Sequence, residues 1–521
     1  MSQRYSLTLS VLLLLGISAA AVPHAAAGET RAGRQRAARK STAGGGLALL
    51  EEVIAEAPSL RLAENRALVQ ATAADLLWPS DEQRARALFA EAVAGLGRLA
   101  DTTPRDEAER ESLLNAHCKV WQLTLQLLAR HDPRAARALL RADGRPRLGP
   151  GEELHFEIGL ARQILTSDAD QAAGLAAETL QRGFSGELTE LIVRLKSRDP
   201  TAAAGLAKSA ASKLQTSNLS ASEEAARVAL DLLRLGSASA GSRAPLLDEQ
   251  SLRALAEVLT AESTSNPDDN ALLLALEPLL PQLERYAPAR APLVIRRLRE
   301  LNGAAGEAGP DDEVVGAGRE VREEEERRAP AAPSPAEERA GTLIELAKES
   351  ARREEKGRAI ELLEEAYALV GGRARNFAQL CAQLKVADAF APLDSERSLS
   401  IVESAVDRVN ELADALATAD GFLADGRMAR DGELVLEAVA GYVSAFPEED
   451  AEGLALLADT RFDRVLLVAD RLQRNELRAA ARLLVLRRVL ARPGVADEPR
   501  GFTRAARYLA PVRRTPRQSP D

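Results

Sequence analysis

The residues able to do acid–base or metal chemistry are few in this 521-residue chain, and they stand far apart. Histidine occurs four times, at His24, His117, His131 and His155. None stands at the helical spacing to a second histidine or to a carboxylate that zinc enzymes use, as in HExxH. His131 directly precedes an Asp-Pro helix start, which predicts an exposed turn. The sequence therefore predicts no metal site and no catalytic histidine.

Two cysteines are the candidate nucleophiles, Cys118 and Cys381. Each recurs at helical spacing with apolar residues, Cys118 with Leu114 and Trp121 and Cys381 with Leu384. This pattern predicts two thiols in the core, because an unpaired cysteine packs as a small apolar side chain. One disulfide between them is the alternative, since two cysteines do not make a disulfide framework.

Motifs for nucleophilic or cofactor chemistry are also missing from the sequence. It has no GxSxG elbow, no Walker loop and no dinucleotide fingerprint, so no catalytic residue and no cofactor is predicted. Carboxylates are so abundant that a pair suited to glycoside cleavage cannot be singled out. A non-enzymatic protein is the leading prediction, and a polysaccharide-active enzyme of the cell envelope is the alternative.

The N-terminus has the pattern of a secretory signal over residues 1–27. An apolar run over residues 7–22 is followed by Ala25 and Ala27 at the −3 and −1 positions, with Gly28 as the first mature residue. Export to the periplasm or beyond is therefore predicted. The alternative is an inner-membrane anchor at 7–22 with the helical domains in the cytoplasm, because several cations follow the run and resist translocation. Membrane contact is expected only through this leader or the basic segment after it.

The charge of the chain argues against nucleic acid as a partner. Asp and Glu number 78 against 68 Lys and Arg, which gives a net charge of −10 at pH 7. A nucleic-acid-binding protein usually carries a basic face.

Helices are the elements that must position any functional side chain. Apolar residues recur at three and four positions, good helix formers dominate, and no stretch alternates as a strand does. A weak repeat starts with Asp and has a small residue four positions later and Leu or Ile seven positions later. It is found at Asp81/Ala85/Leu88, Asp132/Ala136/Leu139, Asp168/Ala172/Leu175, Asp199/Ala203/Leu206 and Asp394/Ser398/Ile401. Each Asp is predicted to cap a helix whose small residue faces the preceding helix.

These patterns predict an all-α fold, an irregular α-solenoid of stacked antiparallel helix pairs in two blocks joined by a disordered linker. The charged and Pro-rich composition of the middle segment cannot bury enough apolar surface to fold alone. The predicted divisions are a signal peptide at 1–27, a flexible basic segment at 28–46, an N-terminal helical domain at 47–301, a linker at 302–340, a C-terminal helical domain at 341–492 and a basic tail at 493–521.

Two resemblances accompany these patterns. Leu343, Leu346, Ala347 and Ser350, followed by Ala359, Leu363 and Ala366, have a spacing that loosely resembles a tetratricopeptide repeat. Residues 376–412, 430–439 and 461–490 resemble a group of uncharacterised exported bacterial proteins. That resemblance implies helical architecture and export, and it brings no known activity. Stacked helix pairs make extended concave surfaces, so we expect a scaffold that binds other proteins.

Overall fold

The computed structural model describes residues 45–99, 107–142, 146, 148–239, 245–265, 270–307, 334–375, 377–423, 428–438, 457–458 and 461–490. Within these ranges the backbone is almost entirely helical, which confirms the all-α prediction. None of the helices in the described ranges has both the length and the apolarity needed to cross a bilayer.

The helices of the first half follow each other with short connections. They are α1 (45–56), α2 (Ala63–Leu77), α3 (Glu82–Leu99), α4 (Glu107–His131), α5 (Pro133–Leu140), α6 (Pro150–Ile164), α7 (Ala169–Arg182), α8 (Leu188–Arg198), α9 (Pro200–Leu214), α10 (Glu223–Ser239), α11 (Glu249–Ser265), α12 (Asn270–Ala275), α13 (Leu280–Tyr286) and α14 (Ala291–Glu307). Short 3₁₀ turns lie at Ala57–Ser59 and Glu277–Leu279.

The second half adds fewer helices and one hairpin. Its elements are α15 (Pro335–Arg352), α16 (Lys356–Val370), α17 (Phe377–Phe390), α18 (Ser395–Leu423), β1 (Ala429–Arg430), β2 (Glu433–Leu434), α19 (Phe462–Asp470) and α20 (Asn475–Leu490).

The predicted aspartate caps are all present. In each case an Asp Oδ1 accepts the N–H three residues later at 2.9–3.0 Å, at Asp81, Asp132, Asp168, Asp199 and Asp394. The residue four positions on is completely buried in every copy, at Ala85, Ala136, Ala172, Ala203 and Ser398. The repeat therefore reflects local structure: the Asp caps the helix, and the small residue four positions later lets the first turn approach a neighbour closely.

Consecutive helices pack on each other and on the helix after next. The tetratricopeptide-like stretch forms such a pair, α15 against α16, with Ala347, Ala359 and Leu363 buried between them. Leu346, which belongs to the same sequence pattern, has a side chain that is 51% exposed.

Two predicted boundaries were wrong by several residues. The linker was expected to span 302–340, yet α14 runs on to Glu307 and α15 begins at Pro335. Ser334 caps α15 and Glu337 reaches back to the N–H of Ser334 at 2.7 Å, so the helix starts inside the Pro-rich stretch. The flexible segment was expected to reach residue 46, yet Gly46 is buried in α1 against Leu490. Residues 308–333 lie outside the described ranges.

A β-hairpin interrupts the second half, where only helices were expected. Ala429 pairs with Leu434 and Arg430 with Glu433, in antiparallel register. The turn between them is Asp431-Gly432, with positive φ angles of 50° and 75°. Asp-Gly is the dipeptide that favours such two-residue turns, because both positions must adopt the left-handed conformation.

The ends of the described chain meet. α20 packs against α2 as well as against α19, and one hydrophobic cluster runs from Leu49 to Leu486. The hairpin segment 428–438 packs against the same N-terminal helices through buried Leu434 and Leu436. The two predicted blocks are therefore in direct contact, with part of their core in common.

Candidate functional site

The residues predicted from sequence to matter for processing, Ala25, Ala27 and Gly28, lie outside the described residues, as does the basic tail at 493–521. Structural arguments for function therefore rest on the folded helices. Within them, no group of three or more His, Cys, Asp and Glu side chains is arranged to hold a metal ion.

His131 does not sit in an exposed turn as predicted. Its ring stacks on the Trp78 ring at a centroid distance of 4.8 Å, and its Nε2 lies 2.9 Å from Oδ1 of Asp75. The Arg86 guanidinium also lies over the Trp78 ring, at 4.7 Å. Because His131 of α4 and Arg86 of α3 contact the indole ring, Trp78 at the end of α2 acts as a packing platform for both helices.

The other two histidines differ in burial. His117 lies in the core, where burial lowers its pKa and so keeps the ring neutral at pH 7. His155 is 64% exposed and lies 3.4 Å from Glu187 of the next helix pair. The three described histidines therefore have different neighbours and do not lie together in one site.

Both cysteines are free thiols. Cys381 is buried as predicted, and burial raises its pKa to about 12. Cys118 is only half-buried, because the inward face of α4 runs through His117 and Trp121 instead, while Leu114 is 55% exposed. Burial and the nearby Glu152 carboxylate raise the pKa of Cys118 as well, so neither thiol is activated as a nucleophile.

The densest set of buried polar groups lies where the hairpin segment 428–438 meets α2, and we call this the junction. Its centre is Glu433, whose carboxylate accepts the Arg61 N–H at 2.5 Å and the Asn65 side-chain amide at 2.7 Å. Asn65 also donates to the Leu434 carbonyl at 2.7 Å and accepts the Leu436 N–H at 2.9 Å. Helix α2 has no side-chain cap, and the Glu433 carboxylate, about 370 positions away in sequence, accepts the N–H groups of Arg61 and Leu62, the two residues just before the helix.

An ion pair and two further carboxylates complete the junction. Glu64 and Arg430 form a salt bridge in which both side chains are almost fully buried. Burial lowers the pKa of Arg430. Glu476 accepts the Leu434 N–H at 3.1 Å, and Asp420 accepts the Ala429 N–H at 2.8 Å. Glu476 and Asp420 thus hold the hairpin within the second half, while Asn65, Glu433 and the Glu64–Arg430 pair join the hairpin to the N-terminal helices.

A concave surface of a different kind lies between α13 and α14. It is an open groove of about 460 Å³, which we call the α13–α14 groove, and it is lined by Glu284, Pro288, Ala291, Pro292, Ile295, Arg296 and Arg299. On α14 the residues Ala291, Val294 and Leu298 are buried, whereas Pro292, Arg296 and Arg299 of the groove lining are exposed. Leu293 beside the groove is 43% exposed.

The stretch of sequence that contains α13 and the start of α14 is opposite in charge to the whole chain. Residues 280–301 contain five Arg and two Glu, a net charge of +3, in a chain of net charge −10. The Arg296 guanidinium forms an exposed ion pair with Glu300 at 3.6 Å, and Arg290 forms one with Glu257 of α11 at 2.8 Å. The charged side chains of the lining itself are Arg296, Arg299 and Glu284.

Sequence reasoning did not find these residues. The Asp431-Gly432 dipeptide between apolar residues was a usable hairpin signal that we did not interpret as one. The reversal of charge over 280–301 could also have been read from the sequence. The pairing of Asn65 with Glu433 could not, because no local pattern links positions so far apart.

Comparison with known proteins gives no family for this chain. No protein-family model matches it, and no curated protein is significantly similar to it.

Proposed function

We propose that this chain is a helical-repeat scaffold of the cell envelope that binds other proteins and has no enzymatic activity of its own. The observation that carries the proposal is the α13–α14 groove. The groove is open along a helix, and Pro288, Pro292 and Ile295 give it an apolar floor. Surfaces that bind a polypeptide segment have this form. Sites for small molecules, in contrast, bury most of the ligand in a cleft.

The helical arrangement supports the same proposal. Each helix pair is held by contacts with its neighbours, so its outer face is not needed for the core. Stacked pairs therefore present broad outer faces that are available for binding. Aspartates cap the first turn of α5, α7 and α9 in the same way, so these helices begin alike. Exposed leucines on separate helices, Leu274, Leu293 and Leu467, offer additional apolar contact points.

Site-specific photo-crosslinking tests the proposal in the host cell. A photoreactive amino acid replaces Ile295 in the groove of the full chain, and the matched control replaces Lys208, which is exposed on α9. We expect discrete protein adducts at position 295 that are missing at position 208. Equal labelling at both positions, or no protein adduct at 295, would contradict a protein-binding groove.

Localisation in the envelope is part of the proposal and is supported by the sequence of residues 1–27. Protease treatment of intact cells, of cells with a permeabilised outer membrane and of lysed cells checks it. We expect digestion once the outer membrane is permeable, and mass spectrometry to find Gly28 at the mature N-terminus. Digestion only after the inner membrane is broken would instead indicate an anchor at residues 7–22.

A further inference from the structure

Helix α18 carries a row of carboxylates along one side. Glu396, Glu403, Asp407 and Asp414 are spaced by seven, four and seven residues, which are close to two, one and two turns of an α-helix. At 1.5 Å per residue, the row is about 27 Å long. We call these four residues the acidic stripe.

Every arginine between residues 461 and 474 forms an ion pair with the acidic stripe. The pairs are Arg461–Glu396 at 3.1 Å, Arg464–Glu396, Arg464–Glu403 at 2.7 Å, Arg471–Asp407 at 2.8 Å and Arg474–Asp414 at 3.0 Å. Asn410 of α18 adds two hydrogen bonds, from its amide to the Arg471 carbonyl at 3.0 Å and from the Gln473 N–H to its oxygen at 3.1 Å. In these ion pairs the acids all lie on α18 and the bases all lie on 461–474.

These ion pairs lie at the surface of the protein. Apart from Arg474, which is 14% exposed, the side chains that form them are 32–67% exposed. Ions in the solvent screen the attraction between exposed charges, so salt weakens these pairs. The apolar contacts of α19, made by buried Val465, Val468 and Ala469, are not screened in this way. Salt therefore acts on one part of the contact only.

Arg474 extends this contact to the junction. Besides Asp414, its guanidinium bonds Glu476 at 2.7 Å and the Gly432 carbonyl in the turn of the hairpin. Burial alone would lower the pKa of Arg474, but Glu476 and Asp414 outweigh it and raise the pKa. One end of the acidic stripe is therefore joined to the part of the chain that connects the two halves.

We propose that the acidic stripe positions residues 461–474 by charge, so that their contact with α18 loosens as ionic strength rises. Acids and bases are separated on two elements, so screening weakens every one of these pairs at once. An interface with mixed charges on each side would lose attraction and repulsion together and respond less. Because Arg474 also holds the hairpin turn, the same change weakens one contact of the junction. The inference is independent of the α13–α14 groove.

Hydrogen exchange of the purified full chain, followed by mass spectrometry of its peptides, tests the proposal. The Debye length is roughly 20 Å at about 0.02 M NaCl and roughly 4 Å at about 0.5 M NaCl. We expect amides of α19 to exchange roughly fivefold faster at the higher salt concentration, while amides of α9 keep their rate. Unchanged or slower exchange in α19, or an equal change in α9, would overturn the proposal.

Reversing the charge of the stripe should reverse the direction of the salt effect. E403R/D407R/D414R places like charges opposite Arg464, Arg471 and Arg474, and arginine is a good helix former at exposed positions. We expect α19 of this variant to exchange faster than wild type at low salt, and added NaCl to slow the exchange, because salt now screens repulsion. Faster exchange with added salt, as in the wild type, would overturn the proposal.

A single exchanged pair tests the same idea with a smaller change to the protein. D407R should speed exchange in α19 at low salt, and D407R/R471D should restore it towards the wild-type rate, because the pair is again of opposite sign. E411R is the matched control on α18, since Glu411 pairs with Arg373 and Arg408 instead. Failure of R471D to compensate for D407R, or an equal effect of E411R on α19, would overturn the proposal.

Discussion

At the scale of single residues, the aspartates that begin helices combine two kinds of interaction. Asp132, the N-cap of α5, accepts the Ala135 N–H at 2.9 Å and forms an ion pair with Arg86 of α3. Burial alone would raise the pKa of Asp132, but these two partners outweigh it and lower the pKa below its ordinary value. The same carboxylate therefore caps its own helix and joins it to a neighbour.

We expect Asp132→Asn to change how stability depends on pH. A carboxyl whose pKa is lower in the folded state stabilises the fold above its unfolded pKa, and this stabilisation is lost as pH falls through the folded pKa. Asn keeps the capping oxygen, so at pH 7 the loss should be at most about 1 kcal/mol, the value of a partly exposed ion pair.

Urea unfolding of the wild type and of Asp132→Asn between pH 7 and pH 3 measures this difference. The two curves should converge in acid, where the wild-type carboxyl is protonated. Asp132→Ala serves as the comparison, because it also removes the cap and should remain less stable at every pH, by about 1 kcal/mol. A difference between wild type and Asn that stays constant with pH would contradict the assignment.

At the scale of the elements, the sequence predicted helices well and tertiary partners poorly. Periodicity and caps are local, so the Asp repeats could be located from residues a few positions apart. The hairpin was missed because its strands are only two residues long, too short to show alternation. Leu62 at the N-cap position of α2 offers no capping side chain, and the carboxylate that holds the N–H groups of Arg61 and Leu62, Glu433, comes from the second half of the chain. No local rule identifies such a partner.

The junction makes Asn65 a sensitive position. Asn65→Asp keeps the oxygen that accepts the Leu436 N–H, but it places a carboxylate against Glu433 and the Leu434 carbonyl in a buried site. We expect it to cost more than Asn65→Ala, which itself should cost about 2–4 kcal/mol by leaving buried groups without partners. Gln70→Ala on the same helix is the control, since Gln70 bonds an exposed Glu91 and should change little.

Denaturant unfolding of these variants, together with Glu433→Gln, measures the coupling. Glu433→Gln should partly rescue Asn65→Asp, because it removes one of the two opposed carboxylates. Additive effects of the two substitutions would show that the side chains do not interact.

At the scale of the whole molecule, the contact between the first and last helices joins the two halves. Arg482 of α20 bonds Glu56 of α1 at 3.1 Å, and Lys119 of α4 forms an ion pair with Glu437 at 2.9 Å. The charged, Pro-rich composition of the middle segment predicted a linker between two blocks. Composition could not show that the two blocks also meet through the opposite ends of the chain.

We expect the halves to stay together when the chain is cut between them. A protease site inserted within residues 308–333 allows cleavage of the folded protein, and the two fragments should then co-elute in size-exclusion chromatography, because the junction and the shared core still connect them. Asn65→Asp should weaken this association. Separate elution of the wild-type fragments after cleavage would contradict a stable contact between the halves.

The meeting of α2 with α20 also affects when the protein can finish folding during its synthesis. Among the described helices the ribosome releases α2 (Ala63–Leu77) early and α20 (Asn475–Leu490) last. At roughly 5–20 residues per second, α2 waits on the order of 20–80 s for its final neighbour, with its apolar face incompletely covered. We therefore expect chaperones that bind nascent chains to bind the N-terminal helices of this chain until α20 has been synthesised.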